Sequence, residues 1–194
     1  MNIEKLLNPK NDYVFKRIFG YSGNEKITKN LLEAIIPEKI DTIELDSNPI
    51  TEKDLLDDKV GILDIKAKLN NGSVNCDIEM QVIDQRDIEK RILFYWGKMY
   101  IQTIKSGNNY DSLKRCIVIL ITDFDIEIFK EIPEYITKWQ IREEKYKKLV
   151  LTNDLELYII SLNKAKNSTI NKKGGLYNWL KFINNPEEET RYGK

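Results

Sequence analysis

Residues 62–82 read ILDIKAKLNNGSVNCDIEMQV, and the fold follows from how this stretch alternates. Over residues 60–69, Leu63, Ile65, Ala67 and Leu69 fall on one face, and Ile62, Asp64, Lys66 and Lys68 on the other. Over residues 73–82, Val74, Cys76, Ile78, Met80 and Val82 oppose Asn75, Asp77, Glu79 and Gln81. A period of two is the side-chain period of a strand. Between the runs stands Asn71-Gly72, a pair that reaches the positive φ angles a tight hairpin turn demands. With Asn71-Gly72 as a two-residue loop, residue 70 pairs with 73 and Asp64 stands directly opposite Glu79. Gln81, two residues on from Glu79, shares its face.

Outward from the hairpin, residues 84–106 predict a long helix whose packed stripe is Ile88, Ile92, Tyr95, Trp96, Met99, Thr103 and Ile104, with Gly107 as its stop. Residues 116–121 are an unbroken apolar run, the mark of a strand covered on both faces. Strand, helix and buried strand make a crossover unit, so this strand runs parallel to a hairpin strand. Upstream, residues 12–19 carry a helical stripe through Val14, Phe15, Ile18 and Phe19. Ser22 and Glu25 have capping-box spacing and open a second helix through Ile27, Leu31, Leu32, Ile35 and Ile36, which Pro37 ends. Residues 42–45 predict a short strand. Downstream, 136–148 reads as helical or extended, 155–162 as a weak strand, and 176–183 as a short amphipathic helix. The reading is an α/β chain with a mixed central sheet flanked by helices. Residues 1–125 form its core. Residues 126–194 are an α+β extension packed on the same domain, with a mobile acidic tail at 186–194.

Composition removes whole classes of function. Lys plus Arg and Asp plus Glu both number 31, so no global cationic field advertises a polyanion partner. There is no histidine, which excludes imidazole bases and His-ligated metals. The two cysteines, Cys76 and Cys116, both sit inside strand patterns and read as buried reduced thiols. No basic segment followed by an apolar run opens the chain, and no run approaches the ~18 apolar residues of a membrane helix. The expected compartment is the cytoplasm. Enzymatic chemistry, if present, comes from carboxylates, Lys, Arg, Tyr or Gln.

Opposed like charges destabilise a strand pair, which makes Asp64 against Glu79 the one local conflict in this hairpin. Nearer the turn the same face is compatible, Lys66 facing Asp77 and Lys68 facing Asn75. Two readings stand: charges diluted by water on a solvated face, or ligands of a divalent cation. Mg²⁺ takes one or two carboxylates plus waters.

Asp64 followed by Glu79-Met80-Gln81 after a hairpin resembles the PD-(D/E)XK nuclease core, with Gln in place of the usual Lys. The segments Asp12-Tyr-Val-Phe-Lys16, Ile62-Leu-Asp-Ile65, Ile78-Glu-Met-Gln81 and Arg91-Ile-Leu-Phe-Tyr95, with Tyr100 beyond, resemble the Rpn-type recombination-promoting nucleases, also called PD-(D/E)XK family transposases. The resemblance implies a restriction-endonuclease-like αβββαβ core and a Mg²⁺-dependent DNA endonuclease, with Mn²⁺ as a substitute. Asp64 and Glu79 would hold the ion, helped by the backbone carbonyl of Met80. Gln81 would orient a water without the charge a Lys brings, a departure shared by the Rpn-type relatives. The alternative reading is a catalytically weak or inactive nuclease-fold module that binds DNA or protein. A third is a component of transposition or defence that acts with a partner or as a homo-oligomer.

Lys16 and Asp12, four apart on a helix, read either as a surface ion pair or as groups facing the site, with Lys16 on a phosphate. Arg91 and Tyr95 share a helical face; Arg91 suits a site carboxylate or a phosphate. Trp96, Trp139, Trp179 and Tyr100 read as packing residues. Candidate DNA contacts are Lys138, Arg142, Lys145, Lys147 and Lys148 beside Trp139 and Tyr146, then Lys164, Lys166, Lys172 and Lys173. Binding through them would be to phosphates, salt-sensitive and nearly indifferent to sequence.

Overall fold

A computed structural model of the chain describes residues 7–46, 64–84, 86–168 and 174–186. The strands are β1 (Ile43–Leu45), β2 (Asp64–Leu69), β3 (Val74–Gln81), β4 (Arg115–Thr122), β5 (Ile136–Trp139) and β6 (Leu155–Ser161). The helices are α1 (Asp12–Phe19), α2 (Glu25–Ile35), α3 (Ile88–Ile101), α4 (Leu162–Asn167) and α5 (Gly175–Asn184). One six-stranded sheet has the order β1-β2-β3-β4-β6-β5. The β1–β2, β2–β3 and β5–β6 pairs are antiparallel, and β3–β4 and β4–β6 are parallel. The run α2-β1-β2-β3-α3-β4 gives the expected αβββαβ order, and β6 and β5 extend the same sheet.

Alternation sorts the core into two layers. Ile65, Cys76, Ile78, Met80, Ile117, Ile119 and Ile121 face Phe15, Phe19, Leu31, Leu32, Leu180 and Ile183 of the helices on one side. Each such side chain, withdrawn from water, contributes at most about 1.5–3 kcal/mol. Val118, Leu120, Leu155 and Leu157 face Ile88 and Ile92 of α3, with Ile126 and Phe129, on the other.

The α1–α2 corner shows how the chain resolves a helix end. Four C-terminal carbonyls of a helix lack intrahelical partners. Here Gly20 N–H donates to Lys16 C=O at 2.7 Å, and Asn24 Nδ2 to Arg17 and Ile18 C=O at 3.1 and 3.0 Å. The buried Thr28 hydroxyl donates to Phe19 C=O. A Cβ on Gly20 would lie 3.0 Å from Lys16 C=O and 3.1 Å from Ile65 Cγ1, so this residue must be small for α1 to close on β2.

Several expectations are corrected. The hairpin register is as read, Asp64 opposite Glu79, but the ladder ends one pair early at Leu69–Val74. Asn70 as well as Asn71 and Gly72 has positive φ (52°, 57° and 76°), so the connection coils left-handed over residues 70–73. The cap of α2 is Asn24, not Ser22, and Glu25 accepts from Gly23 N–H. Ile27 turns outward and Thr28 is buried instead. The helix expected over 84–106 is α3, shorter at both ends. Asp87, at φ 69°, sets its entry, and Thr103 bonds back to Tyr100 C=O through both its hydroxyl (2.8 Å) and its N–H (3.0 Å) beyond its end. The ambiguous 136–148 region holds β5 and then a loop closed by an Arg142–Val150 bridge. Residues 60–63, Lys172, Lys173 and the tail from 187 onward lie outside the described residues.

Candidate metal and phosphodiester site

The site is built on β3, which has β2 on one side and β4 on the other. Asp77, Glu79 and Gln81 project from the face opposite Ile78 and Met80. Register sets Glu79 beside Asp64 of β2 and Leu120 of β4, and Gln81 beside Thr122. Alternation marks this face as polar. The structure nevertheless buries it, because α3 lies across the same side of the sheet: Glu79 is 1% exposed, Asp77 3% and Gln81 7%.

A buried carboxylate is expensive unless hydrogen-bonded or paired with a cation. Gln81 Nε2 donates to Glu79 Oε1 at 2.5 Å. Arg91 Nη2 approaches the same oxygen at 3.3 Å and also donates to the Tyr95 hydroxyl at 3.3 Å. Arg91 follows the buried Ile88 by one turn, which turns its guanidinium towards the sheet. Tyr95 follows Arg91 by a further turn, with its ring centroid 5.8 Å from the guanidinium carbon. Four of the residues singled out in the sequence, Glu79, Gln81, Arg91 and Tyr95, thus come together, and Asp64 is brought opposite Glu79 by register. The Met80 side chain points into the other core layer at 2% exposure. Asp12 and Lys16 lie half-exposed on α1, which packs in that other layer.

An unanticipated pair borders the site. Lys10 Nζ donates to both carboxylate oxygens of Asp123, at 3.0 and 2.9 Å, while Asp123 N–H donates to Gln81 C=O at 2.9 Å. The partners are far apart in sequence and no periodicity joins them. Three of the expected DNA contacts are engaged inside the chain: Lys138 Nζ sits 2.9 Å from the buried Glu156, Arg142 donates to Lys147 C=O at 2.8 Å and to Gln140 Oε1 at 2.6 Å, and Lys164 Nζ donates to the Phe129 and Ile132 carbonyls. Trp96 donates to Cys116 C=O at 3.2 Å and stacks on Tyr100 with ring centroids 4.8 Å apart, Trp139 lies against Phe129, and Trp179 packs on Phe19. Both cysteines are buried free thiols. Burial, with the Asp77 carboxylate adding to it, holds the Cys76 thiol far above its ordinary range.

Among the described residues, no three carboxylate or thiol side chains form a closed metal cage. The oxygen donors that could meet an ion here are the Glu79 carboxylate, backbone carbonyls and, by register, Asp64 opposite Glu79. These are hard oxygen donors in the small number that suits a cation keeping several waters. Among the described residues no helix is long and apolar enough to cross a membrane.

The family model of PD-(D/E)XK nuclease family transposases matches residues 9–194. No curated protein and no solved structure matches the chain.

Proposed function

The chain belongs to the PD-(D/E)XK nuclease family transposases, and on that premise we propose that it is a metal-dependent DNA endonuclease. It hydrolyses phosphodiester bonds in recombination or transposition and works in the cytoplasm. The observation that carries this reading is the buried Glu79, clasped by Gln81 and Arg91 and set opposite Asp64 by register.

Asp64 and Glu79 would hold Mg²⁺, or Mn²⁺ in its place, with the Met80 carbonyl as a further oxygen donor. Bound there, the ion supplies Lewis acidity to the phosphoryl oxygen and lowers the pKa of a water. The rest falls to the chain. Arg91, at 3.3 Å from Glu79 Oε1, fixes which carboxylate oxygen is left for the ion. Gln81, with an amide in the place of an ammonium, orients a water through its oxygen while its nitrogen holds Glu79. Its neutrality leaves compensation of developing negative charge to Arg91, since Lys16 and Asp12 stand on α1 in the opposite layer. DNA is held by its phosphates.

The test is nicking of supercoiled plasmid by wild type, Asp64→Ala and Glu79→Ala in EDTA, Mg²⁺ and Mn²⁺. Metal-dependent nicking, lost in both variants, is expected. Nicking that survives in both would sink the assignment. A second reading, a binding module without catalysis, is favoured by the occupancy of Glu79 Oε1 by an amide rather than an ammonium. It predicts no nicking by any folded form, in any metal.

A further inference from the structure

The polar face of the hairpin does not end at Asp64 and Glu79. It continues towards the turn as the floor of a cleft of about 350 Å³, with the C-terminal half of α3 as its opposite wall. The floor carries Lys66 and Lys68; Lys98 on α3 and Lys114 ahead of β4 face them, so four lysines stand against two aspartates, Asp46 and Asp77. All four lysines are exposed. Lys114 Nζ donates to Gly72 C=O at 2.6 Å, and Lys68 lies 3.9 Å from Glu44 in a loose, exposed pair. This cluster is local in a chain whose charges balance as a whole, 31 against 31. Tyr95 joins cleft to site, because its hydroxyl accepts from Arg91 and its side chain lines the cleft.

Geometry selects the occupant. Alternate residues on a strand are about 6.8 Å apart, so Asp64, Lys66 and Lys68 form an evenly stepped row on one face, comparable with the step between successive phosphates of an extended strand. Cationic grooves that track a backbone and offer an aromatic ring are the common device for single-stranded nucleic acid. A cleft of this size, near the small end of binding clefts, admits one strand and not a double helix. We propose that this cleft is a backbone track for a single strand of DNA, in which Lys66, Lys68 and Lys98 contact the phosphates next to the bond at Asp64 and Glu79. The substrate is then DNA with an unpaired segment beside the cut. This inference rests on the nuclease reading for what is done to the strand, not for its being bound.

The experiment is fluorescence anisotropy in EDTA, where cleavage cannot intervene, with labelled oligothymidylate, a duplex of equal length and oligouridylate. Wild type is compared with Lys66→Gln/Lys68→Gln and with Lys98→Gln, each checked for folding by circular dichroism. Oligothymidylate is expected to bind more tightly than the duplex. The double variant should bind it about fivefold to tenfold more weakly, with a salt slope shallower by about 1.4 for two lost phosphate contacts. Lys98→Gln should shift the slope by about half as much. Affinity and slope unchanged in the variants would overturn the track, as would a duplex bound equally well. Tighter binding of oligouridylate would overturn the choice of DNA. Plasmid nicking separates the two readings. Lost binding without nicking by wild type removes the nuclease and keeps the track. Nicking that needs Asp64, with the lysine variants binding normally, removes the track and keeps the nuclease.

Discussion

Gln81 donates its side-chain amide to Glu79 across 2.5 Å, from two residues further along the same face of β3. The bond holds one carboxylate oxygen and leaves the orientation of the other to be set by that constraint. Partners of a metal-binding group tune it strongly, and their removal typically costs about 10–100-fold in affinity or activity. Gln81→Ala is therefore expected to lower Mg²⁺-dependent nicking by about that factor with an unchanged circular dichroism spectrum. Full activity in Gln81→Ala would mean that the placement of Glu79 does not depend on Gln81.

Arg91 is a cationic partner of Glu79 at 3.3 Å, with 21% of its side chain exposed against 1% for the glutamate. Removing one member of a fully buried pair costs about 3–5 kcal/mol, and partial exposure of Arg91 reduces that to about 1–3 kcal/mol. Arg91→Met should lower the urea midpoint accordingly and depress nicking. Arg91→Lys should recover stability more than activity, since a lysine keeps the charge but not the planar guanidinium whose Nη2 meets both Glu79 and the Tyr95 hydroxyl. Equal recovery of both would make the role of Arg91 structural only.

At the far end of the sheet, Glu156 is 3% exposed and bound by Arg115 at 2.9 Å, Lys138 at 2.9 Å and the Tyr158 hydroxyl at 3.0 Å. Glu156→Ala takes its carboxylate from the part-exposed Lys138 and leaves Arg115 with Glu38 alone, and should destabilise by about 1–3 kcal/mol, read by urea unfolding. Glu156→Gln, which keeps the shape, should lose less. Neither should alter metal binding by the remaining folded protein, because Glu156 stands level with Ile117 and Cys76, near the starts of β4 and β3, whereas Gln81 ends β3.

Arg115 also grips Glu38 through both carboxylate oxygens, at 2.7 and 2.9 Å, and this holds the Glu38 carboxyl below its ordinary value of 4.5. A depressed folded-state value means that the contribution is complete above 4.5 and fades as pH falls through the lower folded value. Glu38 is half-exposed, so the effect is less than about 1 kcal/mol. Urea midpoints of Glu38→Gln should fall slightly short of wild type at neutral pH and converge with it in acid. Parallel curves at all pH values would show that Glu38 contributes nothing electrostatic.

The hairpin was legible because alternation and Asn-Gly are local signals, and pairing arithmetic brings Asp64 opposite Glu79 without tertiary information. The same locality explains the misses. Nothing in alternation says that α3 will cover the polar face, so the burial of Asp77, Glu79 and Gln81 emerges only when the crossover helix is laid down. Ser22 has the right spacing for a cap, but the corner uses Asn24, which can reach two α1 carbonyls at once. Lys10–Asp123 and Arg115–Glu156 join segments that meet only through the sheet order. Lys66 and Lys68 were readable as neighbours of Asp77 and Asn75; that they floor a cleft needed the wall of α3.

Glu79 lies within β3, laddered to β2 on one side and to β4 on the other. Amides deep in a doubly flanked strand exchange with solvent only through global opening. Hydrogen exchange should therefore find Ile78 to Met80 among the best protected amides of the chain. The glutamate proposed to carry the ion is then as durable as the fold itself: it is lost only when the whole sheet opens.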